Sequence, residues 1–275
     1  MSLYTPLVNA FPFLRKPLYN ILYDIIARKQ RRDNHNLTNQ LKLLKNSHLG
    51  ESCFIIGTGP SLKVDDLKIL EEKDIPTFAP NRIYEICESS GWQPKYYICQ
   101  DHNIIQTFKD RIKGIKSELS FLPVDYKDEF KGSNYRFFVL HECEYYPQHA
   151  KFSKDISKDI SQGYTVTYAA IQLAIYMGFK NIYLLGIDHN YNITRDSKGR
   201  PVRNSTETQN YSNGMTDYVN TKNLPRIEES TIAYETAERM SKKLSVKIYN
   251  ATRGGKLDAF ERISFEDAIK QIKQS

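Results

Sequence analysis

The chain is poor in cysteine and tryptophan, with four of the first and one of the second in 275 residues. Cys53, Cys87, Cys99 and Cys143 form no CxxC and no Cys/His zinc spacing, so they read as reduced core residues of a cytosolic protein. No stretch of eighteen apolar residues occurs, which leaves no membrane-spanning candidate. The N-terminus has neither the basic start, the long apolar middle nor the small-residue cleavage site of a signal peptide. The expected location is cytoplasmic, the inner face of the membrane included. Internal repeats and low-complexity tracts are missing too. So are Asp-x-Asp, Gly-x-Ser-x-Gly and HExxH, the usual carboxylate site for a metal–nucleotide-sugar complex, the hydrolase elbow and the zinc-protease helix. No metal site is expected.

At 40% hydrophobic content the chain can bury a substantial core as one domain with an extension. A net charge of +7 suits an anionic membrane surface, a nucleic acid or a phosphorylated substrate. Nineteen tyrosines add weak support for a sugar site, although tyrosines also simply pack. Residues 1–47 differ in character from the rest. Pro17 can open a helix in which Leu18, Ile21, Leu22, Ile25 and Ile26 make one apolar stripe, followed by Arg28, Lys29, Arg31 and Arg32. This stripe suits packing on the domain, packing on a second subunit in a homo-oligomer, or, through residues 13–32, peripheral contact with an anionic membrane.

From residue 48 onward apolar runs alternate with helical patterns. Expected strands are Cys53–Ile56, Thr77–Ala79, Tyr96–Cys99, Phe137–Leu140, Ile182–Leu185 and Val246–Tyr249. Helical patterns lie near Leu67–Glu72, Ile83–Ser89, Val166–Met177 and Ile232–Leu244. Such alternation implies an α/β fold, Rossmann-like, with a mostly parallel sheet covered on both faces. Residues 190–229 are polar, carry Gly199, Pro201, Gly214 and Pro225, and read as a lid.

The most informative segment is CFIIGTGPSL, residues 53–62. Gly57 and Gly59 let the backbone turn tightly and its N–H groups approach a ligand, and Ser61 can cap a helix through Leu67 and Leu70. With Thr58, this is an expected phosphate site at a strand's carboxyl end, although GTGPS is neither GxGxxG nor a Walker loop. Ligands of open α/β sheets bind beyond such ends. The second strand ends in Asn81 and Arg82, suited to a base or ribose and to a phosphate; a turn and a solvated helix start would explain them equally. The third ends in Gln100, Asp101, His102 and Asn103, and a later one in Gly186, Ile187, Asp188, His189, Asn190 and Tyr191. Asp188 and His189 offer a base and an acid close together, though neighbours on a strand point to opposite faces. Residues 163–170 lead into a helix with small residues on one side. The segment Asn250–Leu257 follows the last strand, and its glycines with Arg253 and Lys256 suit either a phosphate or an ordinary turn.

Taken together, GTGPSL, PNRIY, GYTVTYAAIQLAIYMGFKNIYLLGIDHNY and NATRGG resemble a bacterial Rossmann-like family described as similar to 6-hydroxymethylpterin pyrophosphokinase, also found at the centre of flagellin-glycosylation accessory factors. The same order of motifs is similar, more distantly, to the bacterial CMP-dependent sialyltransferases. The resemblance covers roughly residues 48 to 262 and is more specific for the fold than for the reaction. It implies that Gly57, Thr58, Gly59 and Ser61 form the glycine-rich nucleotide loop, with threonine where the sialyltransferases usually have asparagine. It implies that Asn81 binds nucleotide, that Thr165 to Thr167 match the Thr/Ser-Gly segment opening the long helix, and that Asn190 or Tyr191 steadies the leaving phosphate. The sialyltransferases keep a base histidine in the lid; residues 190–229 contain none, which leaves His189 or a carboxylate for that role. The resemblance therefore implies a metal-independent glycosyltransferase without a resident cofactor. Its co-substrate would be a nucleotide sugar, CMP-linked and acidic, and its acceptor a cell-surface glycan; nucleic acid is not an expected partner. Catalysis would fall to His189, Asp188 and Tyr191, and nucleotide binding to the loop with Asn81, Arg82, Asp101, Thr165, Thr167, Gly186, Asn190 and Arg253. Two alternatives stand beside it. One is diphosphate transfer from ATP to a pterin-like alcohol, with Asp101 and Asp188 converging on magnesium; the other is a non-catalytic nucleotide-sugar-binding protein of glycan assembly.

Overall fold

The run Ser52–Ile56 forms β1, and its side chains alternate between two separate cores. Phe54 and Ile56 enter one core, Cys53 and Ile55 the other, and all four are fully buried. A strand that is apolar on both faces requires helices on both faces, and that requirement organises the molecule. The computed structural model describes residues 15–145, 148–191, 193–195, 201–203 and 225–274.

An open sheet of eight strands runs through the centre. Its strands are β1, β2 (Thr77–Pro80), β3 (Tyr96–Ile98), β4 (Leu119–Pro123), β5 (Tyr135–Phe138), β8 (Asn181–Leu185), β11 (Lys247–Asn250) and β12 (Glu261–Arg262). Their order is β12-β11-β8-β1-β2-β3-β4-β5, with every pairing parallel. The chain thus builds outward from β1 in one direction through β5, then returns to β1's other side with β8. That reversal puts a topological switch point between β1 and β8, where loops at the carboxyl ends diverge and ligands of such sheets bind. Strands β6 (Leu140–His141) and β7 (Ile160–Ser161) form a separate parallel pair, and β9 (Ile193–Arg195) and β10 (Pro201–Arg203) an antiparallel hairpin.

Two helices precede the sheet, α1 (Arg15–Asp33) and α2 (His35–Gln40). Helices α3 (Val64–Glu72), α4 (Tyr84–Ser90), α5 (His102–Thr107), α6 (Lys109–Lys113) and α9 (Phe265–Gln274) pack on the Phe54 face. Helices α7 (Val166–Tyr176) and α8 (Ile227–Lys243) cover the Ile55 face, and ten of α7's eleven residues are buried. Strand β4 was not expected: Ser120 and Pro123 interrupt its apolar run, yet parallel pairing with β3 and β5 makes it an interior strand of the sheet. The expected strand Phe137–Leu140 begins two residues earlier and ends at Phe138. Of the expected lid, only β9, β10 and the flanking residues 190–191 and 225–229 lie within the described residues.

The sheet's stability rests on packed rings such as Phe54, which stacks on Tyr183 at 5.1 Å and meets Phe265 at 5.7 Å. Replacing Phe54 by Ala should cost about 3–5 kcal/mol in urea unfolding, because both the transfer energy and a cavity are lost. Leu43→Ala, at a side chain 80% exposed, should stay within about 0.5 kcal/mol. Equal effects at the two positions would contradict the assigned core.

Candidate active site

The loops leaving β1 and β8 cross in contact at the switch point. The Gly57 N–H donates to the Leu185 carbonyl at 2.7 Å and the Gly59 N–H to the Gly186 carbonyl at 2.9 Å. A methyl at Gly57 would overlap the Gly186 carbonyl oxygen and Ile187; one at Gly59 would overlap the Asp188 carboxylate. The glycines are therefore required by the neighbouring protein loop, and their N–H groups are engaged there instead of being offered to a ligand as the sequence suggested. Ser61 departs from expectation in the same way. Helix α3 begins after Lys63 with no side-chain cap. The Ser61 hydroxyl instead donates to Asp188 Oδ2 at 2.8 Å, assisted by the Ser61 N–H at 3.4 Å. Thr58 lies between the two glycines in this loop.

The segment after β11 secures the same loop from the far side. Thr252 Oγ1 accepts the Ile187 N–H at 3.1 Å, and the Lys256 N–H donates to the Asp188 carbonyl at 2.7 Å. Asp188 is thus held at both its carboxyl and its carbonyl. Burial disfavours its charged form and raises its pKa above the ordinary aspartate value, against the lowering pull of the Ser61 bonds.

His189 lies next, in the left-handed backbone region at φ 49°. Its Nε2 is 2.8 Å from Thr231 Oγ1, whose hydroxyl donates to the Ile227 carbonyl at 2.9 Å. A hydroxyl has one hydrogen, so Thr231 accepts from His189, and Nε2 carries the proton. Nδ1 then holds the free lone pair, with no hydrogen-bond partner among the described residues. Burial lowers the pKa of this histidine and keeps the ring neutral at pH 7. Its edges meet Tyr234 at 5.4 Å and Tyr191 at 6.0 Å. Tyr234 in turn is 3.2 Å from the Thr165 hydroxyl at the start of α7, where Thr167 is buried close by. Asn190 and Tyr191 are exposed.

Asn81 sits on the adjoining strand end, also left-handed at φ 49°. Its carbonyl accepts from the Tyr97 hydroxyl at 2.8 Å and its Oδ1 from the Cys99 thiol at 3.4 Å, which leaves the Nδ2 donors without a partner among the described residues. Three of the non-glycine residues with positive φ, Asn81, Tyr164 and His189, thus follow strand ends or open α7 at this one edge. Backbone held in so sparsely populated a region concentrates at functional sites.

Three expected ligand contacts are engaged elsewhere. Arg82 is 3% exposed and forms a buried ion pair with Glu85, its Nε donating to Glu85 Oε1 at 2.8 Å. Arg253 binds Asp66 and Glu266 and lies over the Phe265 ring, so it clamps α3 to α9. Asp101 Oδ1 caps α5 by accepting the Asn103 and Ile104 N–H groups at 2.8 and 3.1 Å. In each case a short-range partner three residues away or on a facing helix satisfies the charge. Among the described residues no group of three His, Cys, Asp or Glu side chains gathers as a metal site.

The family model described as "6-hydroxymethylpterin diphosphokinase MptE-like" matches residues 29–194. The chain belongs to the MptE-like family. That match takes in the last five residues of α1, the whole β1 to β8 region and the loop holding Asp188 and His189. No curated protein matches the chain. Among solved structures, the MAf glycosyltransferase from Magnetospirillum magneticum AMB-1 shares the fold, with a TM-score of 0.51 and 14% identity. The match covers 84% of this chain and 39% of that one, so the chain spans about two fifths of that protein's length.

Sequence reasoning missed Thr231, Thr252 and Tyr234. The first two act through side-chain hydroxyls on long-range backbone or imidazole partners, and the helix carrying Thr231 was expected to begin only at Ile232. Replacing Glu85 by Ala should cost about 3–5 kcal/mol in urea unfolding, because Arg82 is left charged in the interior. Gly59→Ala should fold with lower stability in urea unfolding, since the new methyl overlaps the Asp188 carboxylate and the Gly186 carbonyl. An equally stable Gly59→Ala protein would contradict the crossing of the two loops.

Proposed function

We propose that this edge transfers a sugar from a nucleotide donor, CMP linked to an acidic sugar, to a glycan acceptor. The observation that carries the reading is the setting of His189: its Nε2 lies 2.8 Å from the Thr231 hydroxyl, its Nδ1 has no hydrogen-bond partner among the described residues, and burial pushes its pKa down. Such a group is ready to take the proton of an attacking hydroxyl without first losing one of its own. Asp188 is a positioning residue that holds Ser61 and the loop. Arg82 and Arg253 are internally paired, whereas the segment after β11 brings Lys256 to this edge, its backbone N–H bonded to the Asp188 carbonyl. Its ammonium, the Asn81 amide and Tyr191 would receive the nucleotide and its leaving phosphate. The transfer breaks the bond between the anomeric carbon and the phosphate oxygen. It forms one to the acceptor oxygen, whose proton goes to His189 Nδ1. The resemblance to CMP-dependent sialyltransferases supports the choice of nucleotide.

The family's own description favours a second reading, diphosphate transfer from ATP to a pterin-like alcohol. Magnesium would then have to be held partly by Asp101 and Asp188, whose carboxyls already bind backbone N–H groups and Ser61.

Thermal-shift measurements with CMP, CDP, UDP, GDP and ATP, with and without magnesium, separate the two. CMP should raise Tm in the presence of a chelator; stabilisation by ATP with magnesium alone would overturn the proposal. With a donor in hand, His189→Ala should lower kcat by about 10²–10⁴-fold. The pH profile follows from the sign of the shift. His189 acts as the neutral base and its pKa lies below 6.5, so kcat/KM should be flat at neutral pH and fall only as pH drops below about 6.5. An acid limb centred above pH 7, or activity unchanged in His189→Ala, would remove His189 from the mechanism.

A further inference from the structure

Helix α1 docks on the domain through Asn20, Asp24, Ala27 and Gln30 and leaves the three isoleucines of its apolar stripe exposed, while Leu18 and Leu22 of that stripe are half-buried. Asn20 and Glu144 bond reciprocally, the Asn20 Nδ2 to the Glu144 carbonyl at 2.9 Å and the Glu144 N–H to Asn20 Oδ1 at 2.8 Å. Asp24 Oδ1 lies 2.8 Å from His141 Nε2 and accepts from Lys151 at 2.9 Å, and Gln30 donates to Asp125 at 2.8 Å. Ala27, small enough for close approach, is the residue of this helix buried in the core. Ile21, Ile25 and Ile26 are 56%, 56% and 42% exposed. The usual arrangement of an amphipathic surface helix is the reverse.

The exposed side is also cationic. Ile21, Ile25, Arg28 and Arg32 follow one another at spacings of four, three and four residues and so share one stripe, with Ile26 and Lys29 beside it. Arg28, Lys29 and Arg32 are all exposed. Of the two acids in α1, Asp24 is turned to the domain, and only Asp33, beside Arg32, accompanies these cations. Apolar side chains flanked by lysine and arginine on one face of a helix match the boundary between acyl chains and anionic headgroups. A second copy of this chain would bring the same cations, on a body already at +7, to meet its own.

We infer that the open face of α1, built on Ile21, Ile25, Ile26, Arg28, Lys29 and Arg32, docks on an anionic lipid surface. The helix reaches the candidate site through shared partners. Glu144, bonded to Asn20, also accepts from Arg226 at 3.3 Å. Arg226 stacks on Tyr164 at 4.0 Å and pairs with Glu229 in α8, the helix whose Thr231 holds His189. This path couples a docked α1 to the helix that holds His189, and its use in reaching an acceptor held at the membrane rests on the proposed transfer; the docking itself does not.

Vesicle co-sedimentation of the full chain, without nucleotide or acceptor, tests the docking separately. Phosphatidylcholine vesicles carrying phosphatidylglycerol should bind the protein at least about tenfold more tightly than phosphatidylcholine alone, and binding should weaken with added salt. Ile21→Ser/Ile25→Ser and Arg28→Glu/Lys29→Glu should each lower partitioning about tenfold or more with Tm unchanged, since all four side chains are exposed. Absent binding to the anionic vesicles, or binding unaffected by both double variants, would overturn the inference. So would a dimer in analytical ultracentrifugation that Ile21→Ser/Ile25→Ser dissociates, because the face would then belong to a second copy.

Discussion

The contact between the β1 and β8 loops is the constraint on which the rest of the structure depends. Adjacent parallel strands leave their carboxyl ends less than 5 Å apart, so two loops that turn there compete for the same space. Glycine at 57 and 59 removes the competition, and the two N–H groups then bond the facing carbonyls. Once the loops are locked, Asp188 has a single place to go, against Ser61, and the next residue is forced into the left-handed backbone that aims His189 at Thr231. The sheet's switch point thus becomes a fixed edge in which loop, carboxyl and imidazole share one frame.

Electrostatics at this edge are governed by neutralisation. The two arginines that follow strand ends are both matched by carboxylates within the protein, and Asp188 and His189 are each pushed by burial toward their uncharged forms. An edge with little charge of its own, lined by hydroxyls and the open Asn81 amide, suits a ligand whose charge is received locally at the rim and whose reactive hydroxyl meets a neutral base. Transfer chemistry of that kind depends on preorganised dipoles more than on bulk attraction.

The fold was legible because apolar runs and helical periods are long-range consequences of burial on both sheet faces. β1, β2, β3, β8 and β11 each follow from such a run. β4 was not legible, since its serine and proline break the pattern while its neighbours supply the pairing. For the site, the sequence pointed to the strand ends that carry polar residues but not to which loops cross or which atoms within them are engaged. Arg82 and Arg253 look available in a linear chain because Glu85 and Asp66 gain their meaning only when a helix turn or a facing helix brings them close. Thr231 and Thr252 illustrate the opposite failure: one lies just outside the expected helix and the other in a segment singled out for its glycines and cations, and each hydroxyl becomes decisive through a partner more than forty residues away. The apolar stripe of α1 was visible, but its orientation was not, because that is set by Asn20, Asp24 and Gln30.

Amide hydrogen exchange with and without CMP, in the presence of a chelator, tests the central claim that the crossed loops form a nucleotide site. The account predicts added protection confined to residues 57–62, 81–82 and 186–191. Exchange unchanged in those three segments at saturating CMP would contradict it.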